Sequence, residues 1–125
     1  MAELRVEVVA VEREVWSGEA IEVIARTTEG ELGILPGHAS LLGELAAGAT
    51  VRILQAGGGE VLAAVHGGFL SVTDQGVTVL AEVAELADDI DAGRARTALE
   101  RARSEGDTGA ERRAESRLAA AGQPA

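Results

Sequence analysis

The sequence predicts a mainly β protein with a small α-helical appendage. Its N-terminal part, residues 1–87, is expected to form an antiparallel β-sandwich of two sheets, and residues 88–125 a two-helix hairpin domain. Up to about residue 86, apolar and polar residues alternate with period two, which indicates strands with one buried face. Glycine-containing turns separate these short segments, as is typical of sandwiches and barrels. No strand–helix alternation interrupts them, so a parallel α/β sheet is not expected.

The predicted strands have the composition that this interpretation needs. In the first, Leu4, Val6 and Val8 alternate with Arg5 and Glu7. The later ones are expected within residues 21–25, 50–54, 60–65, 69–73 and 77–82. With a single Phe, a single Trp and no Tyr, the core must be built from Val, Leu, Ile and Ala.

One segment without regular alternation, residues 29–42, combines three glycines and a proline with apolar residues. Pro36 lacks a backbone N–H and has a fixed φ, so a central strand cannot run through it. Glycines on either side permit backbone angles that are closed to other residues. We therefore expect an ordered connection that crosses from one sheet to the other. Taken alone it is interpreted first as a packing corner and second as a binding loop.

The C-terminal part has the pattern of two short helices. Acids at positions 88, 89 and 91 suit a helix N-terminus, whose unpaired N–H groups attract negative charge. Small apolar residues then recur at helical spacing: Ala95, Leu99 and Ala102, and after a glycine break Ala110, Ala114, Leu118 and Ala121. The second helix is expected to begin at Thr108, which starts a capping-box pattern ending at Glu111. Such small side chains bury little area, so the hairpin should be able to leave its docking surface.

Charge and composition exclude several classes of protein. Residues 1–90 carry four arginines and fifteen acids, which argues against a nucleic-acid partner. Residues 91–125 interleave seven arginines with six acids, as on a solvated helix face. The chain has no cysteine and two histidines, too few for the usual zinc sites, and we expect no metal. Without lysine a Walker A loop is impossible, and no nucleophile–base pair is visible, so we do not expect an enzyme.

Three blocks of sequence resemble one known family. They are EGELGILPGHASLL at 29–42, GGFLSV at 67–72 with VTVLAE at 77–82, and DIDAGRA at 89–95. Together they resemble the epsilon subunit of bacterial F-type ATP synthases, in the family order and at the family spacing. The resemblance implies a non-catalytic rotor subunit at the foot of the central stalk, between the gamma subunit and the c-ring. It would transmit torque in this proton-translocating enzyme while catalysis takes place in the beta subunits.

The same resemblance implies contacts for particular residues. Glu29 and Glu31 would face the c-ring, and Arg26 and Thr28 would be rim contacts. The gamma contact would involve His38, Leu41 and Leu42. The chain would be peripheral on the cytoplasmic side of the cell membrane, held there only through the complex, since neither a signal peptide nor an apolar run of spanning length is visible.

In the family the two helices also switch between a folded hairpin and an extended form that reaches the alpha/beta head and blocks ATP hydrolysis. Some members bind regulatory ATP in the folded form. Residues 90–95 match that motif, so the candidate ATP-binding residues are Glu85, Ile90, Asp91, Arg94 and Arg101. The alternative is that Asp91 caps the helix and Arg94 is solvated. The second helix is short here, which predicts weak inhibition and weak ATP affinity.

Two other functions are weighed against the rotor subunit. A stand-alone β-sandwich module that senses nucleotide would need ATP affinity without a gamma partner. A small-ligand or carbohydrate carrier would need aromatic residues along one face, and Trp16 and Phe69 are the only aromatics. The carrier is therefore disfavoured, and the nucleotide sensor remains the alternative.

Overall fold

The computed structural model describes residues 3–11, 13–37 and 39–122. Within these ranges seven strands come first, then a 3-10 turn at Ala87–Asp89, then two helices. The strands are β1 (Leu4–Ala10), β2 (Arg13–Thr27), β3 (Gly30–Ile34), β4 (Leu41–Glu44), β5 (Ala49–Gln55), β6 (Glu60–Thr73) and β7 (Gly76–Leu86). The helices are α1 (Ala92–Glu105) and α2 (Thr108–Ala120). The expected order of a β body followed by a helical hairpin is confirmed.

The strands form two layers because β2, β6 and β7 are long enough to serve both. In layer I the order is the first half of β2, β1, the first half of β7, the second half of β6, and β4. In layer II it is β3, the second half of β2, β5, the first half of β6, and the second half of β7. All of these pairs are antiparallel except β1 with β7, which is parallel. That one parallel pair is the departure from the predicted antiparallel sandwich.

The long strands bend where they pass from one layer to the other. In β2 the register shifts between Ala20 and Glu22, as at a β-bulge. In β6 the bend coincides with Gly67 and Gly68. A Cβ built at Gly68 would lie 2.7 Å from the Cα of Ala81 and closer still to the carbonyl oxygen of Leu80. Only glycine allows the two backbones to approach this closely.

The core lies between the two layers and consists of the alternate residues that the sequence pattern marks as inward. Its fully buried members come from both layers and are aliphatic; they include Val6, Val8, Val23, Ile34, Val51, Ile53, Leu70 and Val79. Trp16 is half-buried and packs against the edge of this core. The predicted aliphatic core is therefore what fills the sandwich.

The segment expected to be a long connection, residues 29–42, contains a strand. β3 begins at Gly30, because the β2–β3 turn is tight, and it pairs with β2 in layer II. The connection is therefore shorter than predicted and spans residues 35–40, with Pro36 and Gly37 in a turn. It leads from β3 in layer II to β4 in layer I, so the predicted crossing between sheets is confirmed.

The two helices form an antiparallel hairpin in which α2 is the inner helix, packed on β5 and β6. The two helices contact each other through a small apolar cluster formed by Ala95, Leu99, Ala114 and Leu118. Gly106 ends α1 in the left-handed conformation, with φ of 70°. Asp107, and not Thr108, is the N-cap of α2, because its carboxylate accepts the N–H of Ala110 at 3.0 Å. A carboxylate one residue earlier takes the place predicted for the hydroxyl.

Candidate functional site

Among the residues that the structure describes, two polar side-chain contacts join α2 to the sandwich. The buried hydroxyl of Ser116 donates to the carbonyl oxygen of Ala49 at 2.9 Å, and Ser116 is 1% exposed. The guanidinium Nε of Arg117 lies 2.6 Å from the Oε1 atom of Glu85, and both side chains are about three-tenths exposed. A partly exposed ion pair contributes little, at most about 1 kcal/mol. Docking of the helix therefore depends mainly on small apolar contacts and one buried hydrogen bond.

A cleft of about 330 Å3 opens beside this ion pair, between the end of the sandwich and the start of α1. It brings together four of the five candidate ATP-binding residues, Glu85, Ile90, Asp91 and Arg94. The fifth, Arg101, is exposed on α1 and is not among the lining residues. It lies seven residues beyond Arg94, about 10 Å along the helix. The remaining lining residues are Asp89, Ala95, Ala98 and Arg117.

Three of the charged side chains of this cleft, those of Asp91, Glu85 and Arg117, already have partners. Asp91 is the N-cap of α1, and its Oδ1 atom accepts the backbone N–H of Arg94 at 3.0 Å. This is the capping arrangement weighed above as the alternative to nucleotide binding. Glu85 accepts from Arg117. Chemically the cleft offers guanidinium groups that suit phosphate oxygens and carboxylates that suit hydroxyl or amino donors.

Arg117 is the cleft residue that sequence reasoning missed. It is separated from its partner Glu85 by 32 residues, so no spacing links the two. A weak signal was present, because Arg117 lies between Ser116 and Leu118, both of which are buried. An arginine at the edge of an apolar helix stripe commonly lies over the surface on which that helix docks.

The acidic turn between β2 and β3 is exposed but ordered. The hydroxyl of Thr27, a buried residue, donates to the carbonyl oxygen of Gly30 at 2.8 Å and accepts the N–H of Glu29 at 3.2 Å. Glu31 follows on β3, directly opposite Arg26. Glu29, Glu31, Arg26 and Thr28 are all exposed around this turn. We name these four residues the acidic turn.

A second exposed feature lies on the outer face of layer I. Leu42 is 73% exposed, Phe69 49% and Leu80 51%, on the neighbouring strands β4, β6 and β7. Phe69 and Leu80 are directly paired, and Leu42 lies diagonally from Phe69. Leu41 points the other way and packs against the core. Leu42, Phe69 and Leu80 are named the apolar face.

Of the residues expected to contact the gamma subunit, only Leu42 belongs to the apolar face. Leu41 is half-buried beneath it, and His38 lies outside the described residues. Phe69 and Leu80 were not foreseen as contact residues. The sequence did carry a signal, the alternation around Leu70. It places large apolar side chains on the outward face of a half-buried strand, where the core of the sandwich does not cover them.

Within residues 3–11, 13–37 and 39–122, no group of three or more His, Cys, Asp or Glu side chains could hold a metal ion. In the same part of the chain no helix is long and apolar enough to span a bilayer.

Comparison with known proteins decides the family. Residues 3–87 match the family model described as ATP synthase, Delta/Epsilon chain, beta-sandwich domain. The ATP synthase epsilon chain of Streptomyces avermitilis is 59% identical over 119 residues, which is 95% of each chain. The chain belongs to the ATP synthase epsilon family. The epsilon chain of Rhodococcus opacus is 58% identical over 99 residues, covering 79% of this chain and 81% of that one.

Solved ATP synthase structures contain chains of similar fold. A chain of the Euglena gracilis mitochondrial ATP synthase, in a structure of its OSCP, F1 and c-ring, superposes with a TM-score of 0.74 at 26% identity. It covers 94% of this chain and 76% of the other. A Tetrahymena thermophila central stalk and c-ring structure, at 19% identity and a TM-score of 0.52, shares the fold. The expected function, a non-catalytic epsilon subunit of the ATP synthase, is confirmed by these relatives.

Proposed function

We propose that this epsilon subunit works as a rotor element of the central stalk, bound to the gamma subunit through the apolar face and to the c-ring through the acidic turn. The observation that carries this proposal is the contrast between the two outer faces of the sandwich. In layer II α2 covers the outer face over β5 and β6, whereas the apolar face of layer I is uncovered by any described residue.

The apolar face suits a permanent protein partner. Leu42, Phe69 and Leu80 are adjacent, large and between about half and three-quarters exposed. Fully burying such a side chain contributes about 1.5–3 kcal/mol, so covering the cluster is strongly favourable. Aromatic residues are also enriched in the cores of protein interfaces. Leu42 belongs to the residues that the family resemblance assigns to the gamma contact, which is why gamma is the proposed occupant.

The acidic turn suits a basic partner surface. Its two glutamates are exposed, and the hydrogen bonds of Thr27 fix the backbone that carries them. A rigid acidic loop can meet basic loops with complementary potential, which sets register and speeds association. We assign the c-ring loops to this surface because the family resemblance places Glu31 at that end.

The helical hairpin is proposed to modulate ATP hydrolysis by leaving the sandwich and reaching the alpha/beta head. Its docking is weak, because it depends on small apolar contacts, one buried hydrogen bond and a partly exposed ion pair. In this proposal residues 88–125 form the domain that moves and residues 1–87 the domain that stays in place. Regulatory ATP is proposed to bind in the cleft, with Arg94 and Arg117 on its phosphates. A phosphate that takes Arg117 competes with Glu85, so affinity should be low.

Co-purification is the direct test of the rotor assignment. A tagged copy of the full chain, expressed in cells, is recovered from detergent-solubilised membranes, and the bound subunits are identified by mass spectrometry. We expect gamma and c subunits to be recovered with the tagged chain. To test the proposed location, inverted vesicles are used, whose outer surface is the cytoplasmic one, and we expect the complex to be released from that surface. Absence of both subunits, together with ATP binding by the isolated chain in a calorimeter, would instead favour the stand-alone nucleotide sensor.

A further inference from the structure

His66 occupies an unusual position at the interface between α2 and the sandwich. It lies on β6, where it lines a cleft together with residues of α2, and it is 7% exposed. Both ring nitrogens are buried, and neither has a hydrogen-bond partner among the described residues. A neutral imidazole has one donor and one acceptor to satisfy. Leaving both ring nitrogens unpaired and away from water costs free energy. The His66 side chain would therefore gain free energy if the interface opened and water reached the ring.

The surroundings of His66 oppose a positive charge on its ring. α2 presents Arg113 and Arg117, and β7 presents Glu82 and Glu85. Arg112 of α2 lines a second cleft beside His66, separate from the one proposed for ATP, and the neighbouring turn contributes only Ala47 and Gly48 to it. Burial away from water and then Arg117 lower the pKa of His66 to about 4; Glu85 opposes this in part and Arg113 adds to it.

We propose that protonation of His66 releases α2, and the hairpin with it, from the sandwich, so that acidification undocks the helical domain. When α2 leaves, the imidazole meets water and can carry its charge without burial or the two facing arginines. A proton therefore binds the undocked form in preference to the docked form. In the docked form a charged His66 ring would be buried without a hydrogen-bond partner, which is far more unfavourable than burying the neutral ring.

The sign and range of this effect follow from linkage. With a pKa of about 4 when docked and the ordinary 6.5 when undocked, His66 leaves docking unaffected above pH 6.5. Docking weakens as the pH falls from 6.5 towards 4 and levels off below that. At pH 5.5 the ratio of undocked to docked molecules should be about tenfold higher than at pH 7.5. This inference needs neither a nucleotide nor gamma, so it stands or falls separately from the function proposed above.

The absence of cysteine makes the test direct. Spin labels are placed on the full chain at Gly57→Cys, in the open β5–β6 turn, and at Ala119→Cys, on the exposed side of α2. Pulsed electron paramagnetic resonance then gives the distance distribution between the labels. The Ser116→Ala change is added to weaken docking and to bring the undocked fraction into the measurable range.

The expected result is a roughly tenfold rise in the ratio of undocked to docked populations between pH 7.5 and 5.5. In a His66→Leu background the ratio should stay within about twofold, and the matched variant of the other histidine, His38→Gln, should respond as the parent does. An equal rise in the His66→Leu background, or none in the parent, would overturn the proposal. An NMR titration of the His66 ring in the unmodified chain gives a second measure that no variant can disturb. Its midpoint should lie well below 6, and one at or above about 6 contradicts the proposal.

Discussion

Arg117 of α2 and Glu85 of β7 form an ion pair of 2.6 Å that belongs to two features at once: it joins the helix to the sandwich, and it forms one wall of the cleft proposed for ATP. Occupation of the cleft and docking of the helix are therefore coupled through the same two side chains. A ligand that draws Arg117 towards its phosphates must also hold α2 against the sandwich, or the helix loses this contact.

Removing the guanidinium should weaken ATP binding. Arg117→Ala is expected to raise the dissociation constant by at least about tenfold, since a charge-assisted hydrogen bond contributes about 1.5–3 kcal/mol. Calorimetry with the isolated chain measures this. Arg103→Ala is the matched control, because Arg103 pairs with Glu111 within the hairpin and does not line the cleft. If Arg101→Ala weakens binding more than Arg117→Ala, the family motif is a better guide to the site than the cleft.

Loss of the buried hydroxyl at the docking interface should loosen the hairpin. Ser116→Ala leaves the carbonyl oxygen of Ala49 without its partner, at a cost of about 1–3 kcal/mol, so the undocked fraction should rise at every pH. The spin-label distances described above report it. The control, Ser104→Ala, removes an exposed hydroxyl that donates to Arg101 within α1, and it should leave the distances unchanged. Equal effects of the two variants would mean that the Ser116 contact does not hold the helix.

A charge on the apolar face should disrupt binding to gamma. Phe69→Glu introduces a carboxylate that must be buried without a partner when the subunit assembles, and binding should fall by at least about a hundredfold. Pull-down with purified gamma measures the loss. Val11→Glu makes the same change at a residue that is 74% exposed but outside the apolar face, so it should bind normally. Normal binding by Phe69→Glu would place the gamma contact elsewhere.

The bend in β6 should tolerate glycine alone. Gly68→Ala forces a methyl group against the backbone of Leu80 and Ala81, and we expect a loss of about 3 kcal/mol or more in the free energy of unfolding. Urea denaturation followed by circular dichroism measures it. At Gly57 the added methyl would have nothing within 4 Å, so Gly57→Ala should change stability by less than about 0.5 kcal/mol. Similar midpoints for the two variants would show that the strands separate readily at the bend.

The positions of the strands and helices could be predicted from the sequence far better than the pairing between the strands. Alternation marked Val6 and Val23 as inward, and helical spacing marked Leu99 and Leu118, and all four are buried. Periodicity is a local property, however. In β6 the inward residues change from odd positions (Val61, Val65) to even ones (Leu70, Val72) at the bend, and this change of phase could not by itself show that one strand belongs to two layers. Alternation also cannot show which strand pairs with which, and the parallel pairing of β1 with β7 stayed hidden.

The residues of the candidate site also fall into two groups, those that a local motif predicted and those that only the fold brings together. Glu85, Ile90, Asp91 and Arg94 were found because most of them lie within one short motif, and the structure places them around one cleft. Arg117 was missed because only the fold brings it near Glu85. His66 showed no sequence signal of its position, since a histidine in an alternating strand looks the same whether the outward face meets water or a helix.

The pairing of β1 with β7 has a consequence for synthesis on the ribosome. Val6 lies opposite Val77, so the first strand must wait for about seventy further residues before its neighbour exists. Contacts of such long sequence separation slow folding, because the chain between them loses entropy before the contact forms. The nascent β1 can pair early only with β2. Closure of the domain is therefore a late event, completed only after β7 has left the exit tunnel, and the newborn chain exposes its aliphatic interior until then.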